Sequence, residues 1–500
     1  LECRDEVPHL RRLARAVAPF EGDEVPTVRH AVDPMAPPRH GPAAVPTRWA
    51  YRRRMTFSDE TARALTTRAL TAQTDGRVPG LVAGVARDGR LEWSTGIGTI
   101  DVATPGEAPD ADTQYPVASN SKTFTAVAIM ALRDEGRLDL DDTVEQHLAD
   151  SAHARVTIRQ LLSHTSGMQR EPVGDVFDTM VMPSREEMLT GWSQAERVGR
   201  PHDRWHYSNL AYSVLGEIIA RLDGCTWEES IRRRILDPLE MTRTGTVPSG
   251  RRAKGYYVPP FADVPVEEPV FDAAAMDPAG GLRSTATDMA RWGGFVADPV
   301  DEVLSPDTLE EMCQPQVMAD MTGWTSAWGL GFQLVRHEGR TWVGHTGGWP
   351  GSITGVFTER STATTGLILM NNSAPVPPAA AAIELGTIAI EREPVQPEPW
   401  QPGTELPDEL VPLLGHWYSE GTHFVLSVRE GRLEARVAGQ PKEMPPSVFE
   451  AEATDRYRTV SGRERGELLR VTRDASGTVT HLNWATYRFT REPLAFGQWL

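Results

Sequence analysis

Cysteine is nearly missing: the 500 residues hold three, Cys3, Cys225 and Cys313. So few, odd in number and far apart, they build neither a disulfide framework nor a thiolate metal cluster. None sits in a His/Asn constellation, so a cysteine nucleophile is set aside, and Cys225 and Cys313 are expected as small buried hydrophobes. Neither His-Glu-x-x-His nor Cys-x-x-Cys occurs. No zinc signature is therefore present, and no metal or organic cofactor is expected. Positive charge is scarce: 51 Lys and Arg stand against 69 Asp and Glu, a net charge of −18. That balance excludes nucleic acid as an expected partner, because phosphate binding needs a basic footprint. No stretch approaches eighteen apolar residues, so no membrane span is expected. No signal-peptide core is seen near Leu1, and Met55 is a candidate start, so the expected location is cytoplasmic.

What is present reads as more than one unit. Residues 1–55, rich in Arg and Pro, read as a disordered or non-native leader. Residues 56–392 read as a catalytic domain with a helix from Thr61 and a hairpin around Asp88-Gly89. Helical patterns fill much of 120–300. Strand patterns return at 332–335, 341–343, 353–357 and 366–370, and a helix follows over 379–390. Strands at both ends with helices between predict an α/β (α+β) fold: one antiparallel sheet closed by the chain's two halves, flanked by helices, beside an all-helical lobe. Pro394, Pro397, Pro399, Pro402 and Pro407 mark a stiff linker over 393–407. Residues 408–500 carry short strand patterns at 424–428, 433–437, 468–471 and 479–484, the signature of a small antiparallel barrel. Gly415-His416-Trp417 there resembles the opening of lipocalin-like barrels.

Three segments carry chemistry. Ser119-Asn120-Ser121-Lys122 opens an apolar run that reads as a buried helix ending at Gly136. On one helix Ser119 and Lys122 would share a face, and an amine whose pKa is lowered by burial can take the serine's proton. Ser-x-x-Lys alone recurs by chance in long chains. The second segment is His206-Tyr207-Ser208-Asn209-Leu210, at the start of another apolar helix pattern. A phenol near an amine can relay protons, and an Asn amide can grip a peptide group. The third is Trp342-Val343-Gly344-His345-Thr346-Gly347-Gly348-Trp349, where glycines let a ligand approach a strand closely.

In this order the three resemble the serine β-lactamase and penicillin-binding-protein superfamily, class C-like branch. Arg159-Gln160-Leu161-Leu162-Ser163-His164-Thr165-Ser166-Gly167, Pro238-Leu239-Glu240-Met241 and the segment from Gly280 to Asp288 match it too. The resemblance implies Ser119 as nucleophile, Lys122 as base alone or with Tyr207, and Tyr207 as proton donor to the leaving group. It implies Asn209, His345, Thr346 and Gly347 as substrate contacts, and the backbone N–H groups of Ser119 and Gly348 as the oxyanion hole. One departure is the third motif, which in true β-lactamases begins with Lys; here it is His345, a weaker clamp for a substrate carboxylate.

The expected function is thus a serine hydrolase forming an acyl-enzyme on a small-molecule or peptide substrate: an amide, ester or D-configured peptide. One alternative is a penicillin-binding-protein-type thioesterase or peptide cyclase, which adds an acyl carrier domain as partner. Another is a non-catalytic module that binds β-lactams or peptides. Specificity is expected from loops near 170–205 and 245–275. Gly191-Trp192-Ser193-Gln194-Ala195 nearly matches a nucleophile elbow but lacks a preceding strand. His164 reads as a loop tether, and Asp142 and Asp288 as capping residues.

Overall fold

The computed structural model describes residues 57–498 apart from 149–152, 154, 271, 374–375, 397–398, 404, 442–443 and 496. The expected leader over 1–55, Met55 and Cys3 lie outside the described residues.

The first unit is built on an eight-stranded antiparallel sheet. Its strands are β1 (Gly80–Arg87), β2 (Arg90–Gly98), β3 (Val317–Met318), β4 (Ser326–Trp328), β5 (Gln333–His337), β6 (Arg340–Trp349), β7 (Ser352–Glu359) and β8 (Thr364–Met370). Their order is β2-β1-β8-β7-β6-β5-β4-β3, so the hairpin from the chain's first half pairs with the last strand, Leu81 opposite Met370. The expected hairpin forms at Asp88 and Gly89, both at positive φ, as a tight two-residue turn requires. Residues 81–86 are buried on both faces. Alternate side chains go to opposite cores, Val82 and Ala86 to one and Leu81, Ala83 and Val85 to the other.

One face of the sheet carries α1 (Asp59–Asp75) and α5 (Pro378–Arg392), which close the smaller core with Trp342 and Phe357. The other carries α4 (Ala286–Ala297) and, beyond it, the helical lobe with α2 (Ser121–Asp134) and α3 (Asn209–Asp223). Helix α2 is buried almost along its whole length, which is why its sequence shows a continuous apolar run rather than a stripe. It ends as expected: Gly136 takes a positive φ while Arg137 N donates back to Leu132 O at 3.0 Å. Helix α3 is pressed onto the segment after it in space, since a Cβ on Gly216 would lie 2.1 Å from the Pro278 ring. That close approach fixes Ala279, one residue on.

The second unit is an eight-stranded antiparallel sheet in simple sequential order, from β9 (Gly415–Ser419) to β16 (Tyr487–Phe489). Tyr418 and Thr490 exchange both backbone hydrogen bonds, at 2.8 and 2.9 Å, and so nearly close it into a barrel. Leu426, Phe449, Leu482, Phe489 and the indoles of Trp417 and Trp484 fill its interior. Arg465 of this unit pairs with Asp307 of the first at 2.7 Å. Among the described residues no helix is long and apolar enough to cross a membrane.

Candidate active site

Ser119 does not share an α-helix with Lys122, as the spacing predicts. It sits in a 3₁₀ turn, Ala118–Asn120, and α2 begins at Ser121. Ala118 has φ 48°, an uncommon conformation for a residue with a Cβ, and it swings the chain so that Ser119 stays partly accessible while Lys122 is wholly buried. The turn is held from both sides. Val117 N donates to Leu282 O at 2.9 Å, Ser352 Oγ to Pro116 O at 2.9 Å and Asn120 Nδ2 to Thr354 Oγ1 at 3.0 Å.

The Lys122 amine lies 3.2 Å from Ser119 Oγ and donates to Ala279 O at 2.5 Å. The rings of Tyr207 and Tyr212 stand 5.0 and 5.5 Å from it. Burial pushes the amine's pKa well below the ordinary lysine range; Arg170 adds to that and Glu171 opposes it. A neutral amine has a lone pair to offer the serine proton. The Tyr207 phenol is shifted the other way: burial raises its pKa, against a lowering from its hydrogen bond with Ser119. At neutral pH the phenol therefore keeps its proton.

Tyr207 precedes the Ser208 cap of α3, whose Oγ accepts from Ala211 N at 3.1 Å. Ser208 is thus the N-cap, and Asn209 is the first helical residue rather than a loop residue. His164 tethers this segment, as its sequence context predicts: its carbonyl accepts from His206 N at 2.8 Å and its Nδ1 from Ser208 N at 3.1 Å. Its ring stacks 4.4 Å from that of Tyr207. The bond to Nδ1 leaves the hydrogen on Nε2, which is buried and has no partner among the described residues.

His345 and Thr346 lie on β6, opposite Val356 and Gly355. The expected strand over 341–343 runs much further, through the whole His-Thr-Gly segment. His345 Nδ1 bonds the Thr346 carbonyl, and its Nε2 is buried with no partner among the described residues. Burial is the main reason its pKa falls to about 3, helped by the nearby Lys122, so the imidazole is neutral. Strand β6 lies directly on the nucleophile turn, because a Cβ on Gly347 would come 2.2 Å from Val117 O. Gly348, next along, is exposed. Beyond it opens a cavity of about 380 Å³ lined by Met180, Glu268, Trp349, Ile353 and Ser373. Met180 and Glu268 belong to the two loops singled out for specificity. A larger cavity, about 550 Å³, lies at the far sheet edge beside Cys313 and Trp324 and holds none of the motif residues.

Ser119, Lys122, Tyr207, Asn209, His345, Thr346, Gly347 and Gly348 thus meet where the lobe faces the sheet. Sequence reading misses Ala279, Arg170, Glu171 and the rings of Trp205 and Trp328. Glu171 accepts from Asn209 Nδ2 at 2.7 Å. Trp328 stands 5.3 Å from His345 and 5.7 Å from Tyr207. Arg170 and Glu171 follow closely after the His-Thr-Ser-Gly segment, a usable signal; Ala279 acts through its carbonyl and leaves none.

Ser193 of the near-elbow lies exposed on a helix, Arg185–Gln194, in keeping with the missing strand: a helix cannot form the sharp strand-to-helix turn. Asp288 accepts from Arg243 N and Thr244 Oγ1, each at 2.8 Å, a structural tether. Asp142 accepts from Asp139 N at 2.8 Å and holds the His147 ring at 3.0 Å. Cys225 and Cys313 are free and only half-buried, against the expectation of full burial. Among the described residues no group of three or more His, Cys, Asp or Glu is placed to hold a metal ion.

Residues 59–389 match the family model described as Beta-lactamase, and residues 406–491 match a domain of unknown function, DUF7586. Protein flp of Staphylococcus aureus (strain COL) is 28% identical over 269 residues, covering 50% of this chain and 53% of that protein. The chain thus spans about half the length of the curated relatives it matches. The octameric penicillin-binding protein homologue of Pyrococcus abyssi superposes with a TM-score of 0.60 at 24% identity, over 86% of this chain and 100% of that one. A D-stereospecific amidohydrolase from Streptomyces sp. gives 0.57 at 24% identity, over 65% and 98%.

Proposed function

The chain belongs to the β-lactamase family, and from that premise we propose that it is a serine hydrolase working through an acyl-enzyme on Ser119. The observation that carries this reading is the buried amine of Lys122, 3.2 Å from an accessible hydroxyl. Its Ala279 bond occupies one hydrogen, and burial, by lowering the pKa, favours the form whose lone pair is free. Lys122 takes the Ser119 proton as Oγ attacks the substrate carbonyl. The backbone N–H groups of Ser119 and Gly348 hold the resulting oxyanion, a contribution of about 3–4 kcal/mol per donor. Tyr207, protonated by virtue of its burial, passes a proton to the leaving group, and Lys122 restores it. Water then releases the acyl group by the same path in reverse. His345 and Thr346 line the facing strand, and Asn209 holds the acyl part.

A neutral His345 supports amides, esters or D-configured peptides over β-lactam antibiotics, whose carboxylate a lysine would grip more firmly. The name of the Streptomyces relative fits a D-configured substrate. The test is covalent labelling with a fluorophosphonate, read by intact mass, alongside turnover of p-nitrophenyl acetate and D-alanyl amides. Labelling that maps to Ser119 and disappears in Ser119→Ala supports the reading. Full turnover by Ser119→Ala sinks it.

A further inference from the structure

We propose that the cavity at the far sheet edge is a second binding site, one that takes a small aromatic carboxylic acid. The site is independent of the acyl-enzyme reading. Strand register builds its floor: Val343 of β6 lies opposite Leu334 of β5, Leu334 opposite Ala327 of β4, and Ala327 opposite Met318 of β3. Side chains paired in this way project from one face, so four adjacent strands lay down a continuous apolar strip. The next rung on that face pairs Arg336 with Thr341. Glu310 of the helix Pro306–Met312, Cys313 and Arg360 complete the lining. The volume, about 550 Å³, is that of a small-molecule site.

Two further observations select the ligand. The first is Trp324, which lines the cavity. A bulky side chain rarely takes a positive φ, yet Trp324 is held at 54°. The Asp320 carboxylate shapes that turn, accepting from Thr322 N, Gly323 N and Thr325 Oγ1, each at 2.9 Å. The indole is tied by Nε1 to Met321 O at 3.2 Å and is nonetheless 69% exposed. A strained turn that presents a fixed aromatic ring beside an apolar cavity is suited to stacking on another planar ring. The second observation is the balance of donors and acceptors. Glu310 accepts from Arg360 Nη1 at 2.6 Å and Gln314 Nε2 at 2.9 Å, one on each oxygen. Glu359 accepts from Ser361 Oγ on one oxygen and Thr362 Oγ1 on the other, each at 2.6 Å. Every oxygen of the two acidic side chains thus has a donor, and an ammonium would find both occupied. Arg336 donates to Thr341 Oγ1 at 3.1 Å and meets no carboxylate among the described residues. Its remaining N–H groups are open, and a planar carboxylate fits their fork.

The test, on the full chain at pH 8, follows modification of the Cys313 thiol by methyl methanethiosulfonate, mapped by peptide mass, with the half-buried Cys225 as reference. Indole-3-acetate is expected to slow modification of Cys313 and leave that of Cys225 unchanged. Indole-3-acetamide, the same ring without the charge, should need a concentration about tenfold higher, the scale of one charge-assisted hydrogen bond. Acetate, which lacks the ring, should do nothing. Arg336→Gln should bring acid and amide within about twofold, and Trp324→Ala should weaken both about threefold or more. A cooperative thermal transition in each variant shows that it is folded. Slowing by neither compound, equal slowing at both cysteines, equal potency of acid and amide, a gap unchanged in Arg336→Gln or affinities unmoved by Trp324→Ala overturns the proposal. Calorimetric titration with the same pair repeats the comparison without the thiol. Protection of Ser119 from a fluorophosphonate in place of Cys313 would put the acid in the catalytic site and overturn the proposal as well. Failure of Ser119 to label at all would sink the acyl-enzyme reading and leave the Cys313 comparison intact.

Discussion

The active-site region and the barrel treat the same kinds of side chain in opposite ways. In the barrel both buried indoles are bonded, Trp417 Nε1 to Leu413 O at 2.7 Å and Trp484 Nε1 to Thr459 Oγ1 at 2.9 Å. Around Tyr207 the indole nitrogens of Trp205 and Trp328, the free ring nitrogens of His164 and His345 and the Asn209 oxygen are buried without partners among the described residues. The barrel pairs both of its buried indoles; the site leaves two indoles, two imidazoles and an amide open and buries an amine besides. A buried group left unpaired lowers stability, so a concentration of such groups around one tyrosine is a cost that a ligand or a reaction can offset.

The sharpest way to break this comparison is at the amine. Lys122→Met keeps the volume and removes the base, so p-nitrophenyl ester turnover should fall at least about a thousandfold, as when a nucleophile's partner is lost. The thermal midpoint, read by calorimetry, should not fall, because an apolar chain suits that site better than an amine. A large drop in midpoint would show that Lys122 is there for the fold. Next in size, Trp417→Ala should destabilise the barrel by about 3–5 kcal/mol, measured by urea unfolding, while the rate of fluorophosphonate labelling at Ser119 persists. Loss of labelling in the folded variant would tie the barrel to catalysis.

A finer contrast comes from removing one N–H at a time. Trp484→Phe strands Thr459 Oγ1 and should cost about 1–2 kcal/mol more than Trp328→Phe, which removes a donor that has no acceptor among the described residues. The smallest effect concerns pH. Turnover requires the neutral Lys122 amine, so kcat/KM should fall as pH drops through its depressed pKa. His345, neutral above about pH 3, takes no part in that limb, and His345→Gln should leave its midpoint in place. A shift of the limb in that variant would mean the imidazole titrates during catalysis.

Much of the architecture is legible in the sequence because its signals are local and strong: the Asp88-Gly89 turn, the apolar run of α2, the strands around Gly366. The strands that escape are short or outward-facing. Val317–Met318 and Ser326–Trp328 are too brief for alternation to register, and in Ser447–Ala453 the last four residues are exposed. The motif residues are legible because side-chain chemistry fixes their types. The break between Ser119 and α2 is not, since it depends on a positive φ at Ala118, which alanine does not advertise. The direction of both key pKa shifts is equally hidden, because burial is a property of the packed lobe and not of a tetrapeptide.

The pairing of β1 with β8 has a consequence for how the chain is made. A ribosome delivers the hairpin and the nucleophile turn long before the strand that lies between the hairpin and the rest of the sheet. Until residue 370 has emerged, β1 presents an open edge of Leu, Val and Ala, a template for pairing with another nascent copy. Reactivity and a completed sheet therefore arrive together, late in synthesis, and a polypeptide ending near residue 300 would carry Ser119 and Lys122 with no facing strand to receive a substrate.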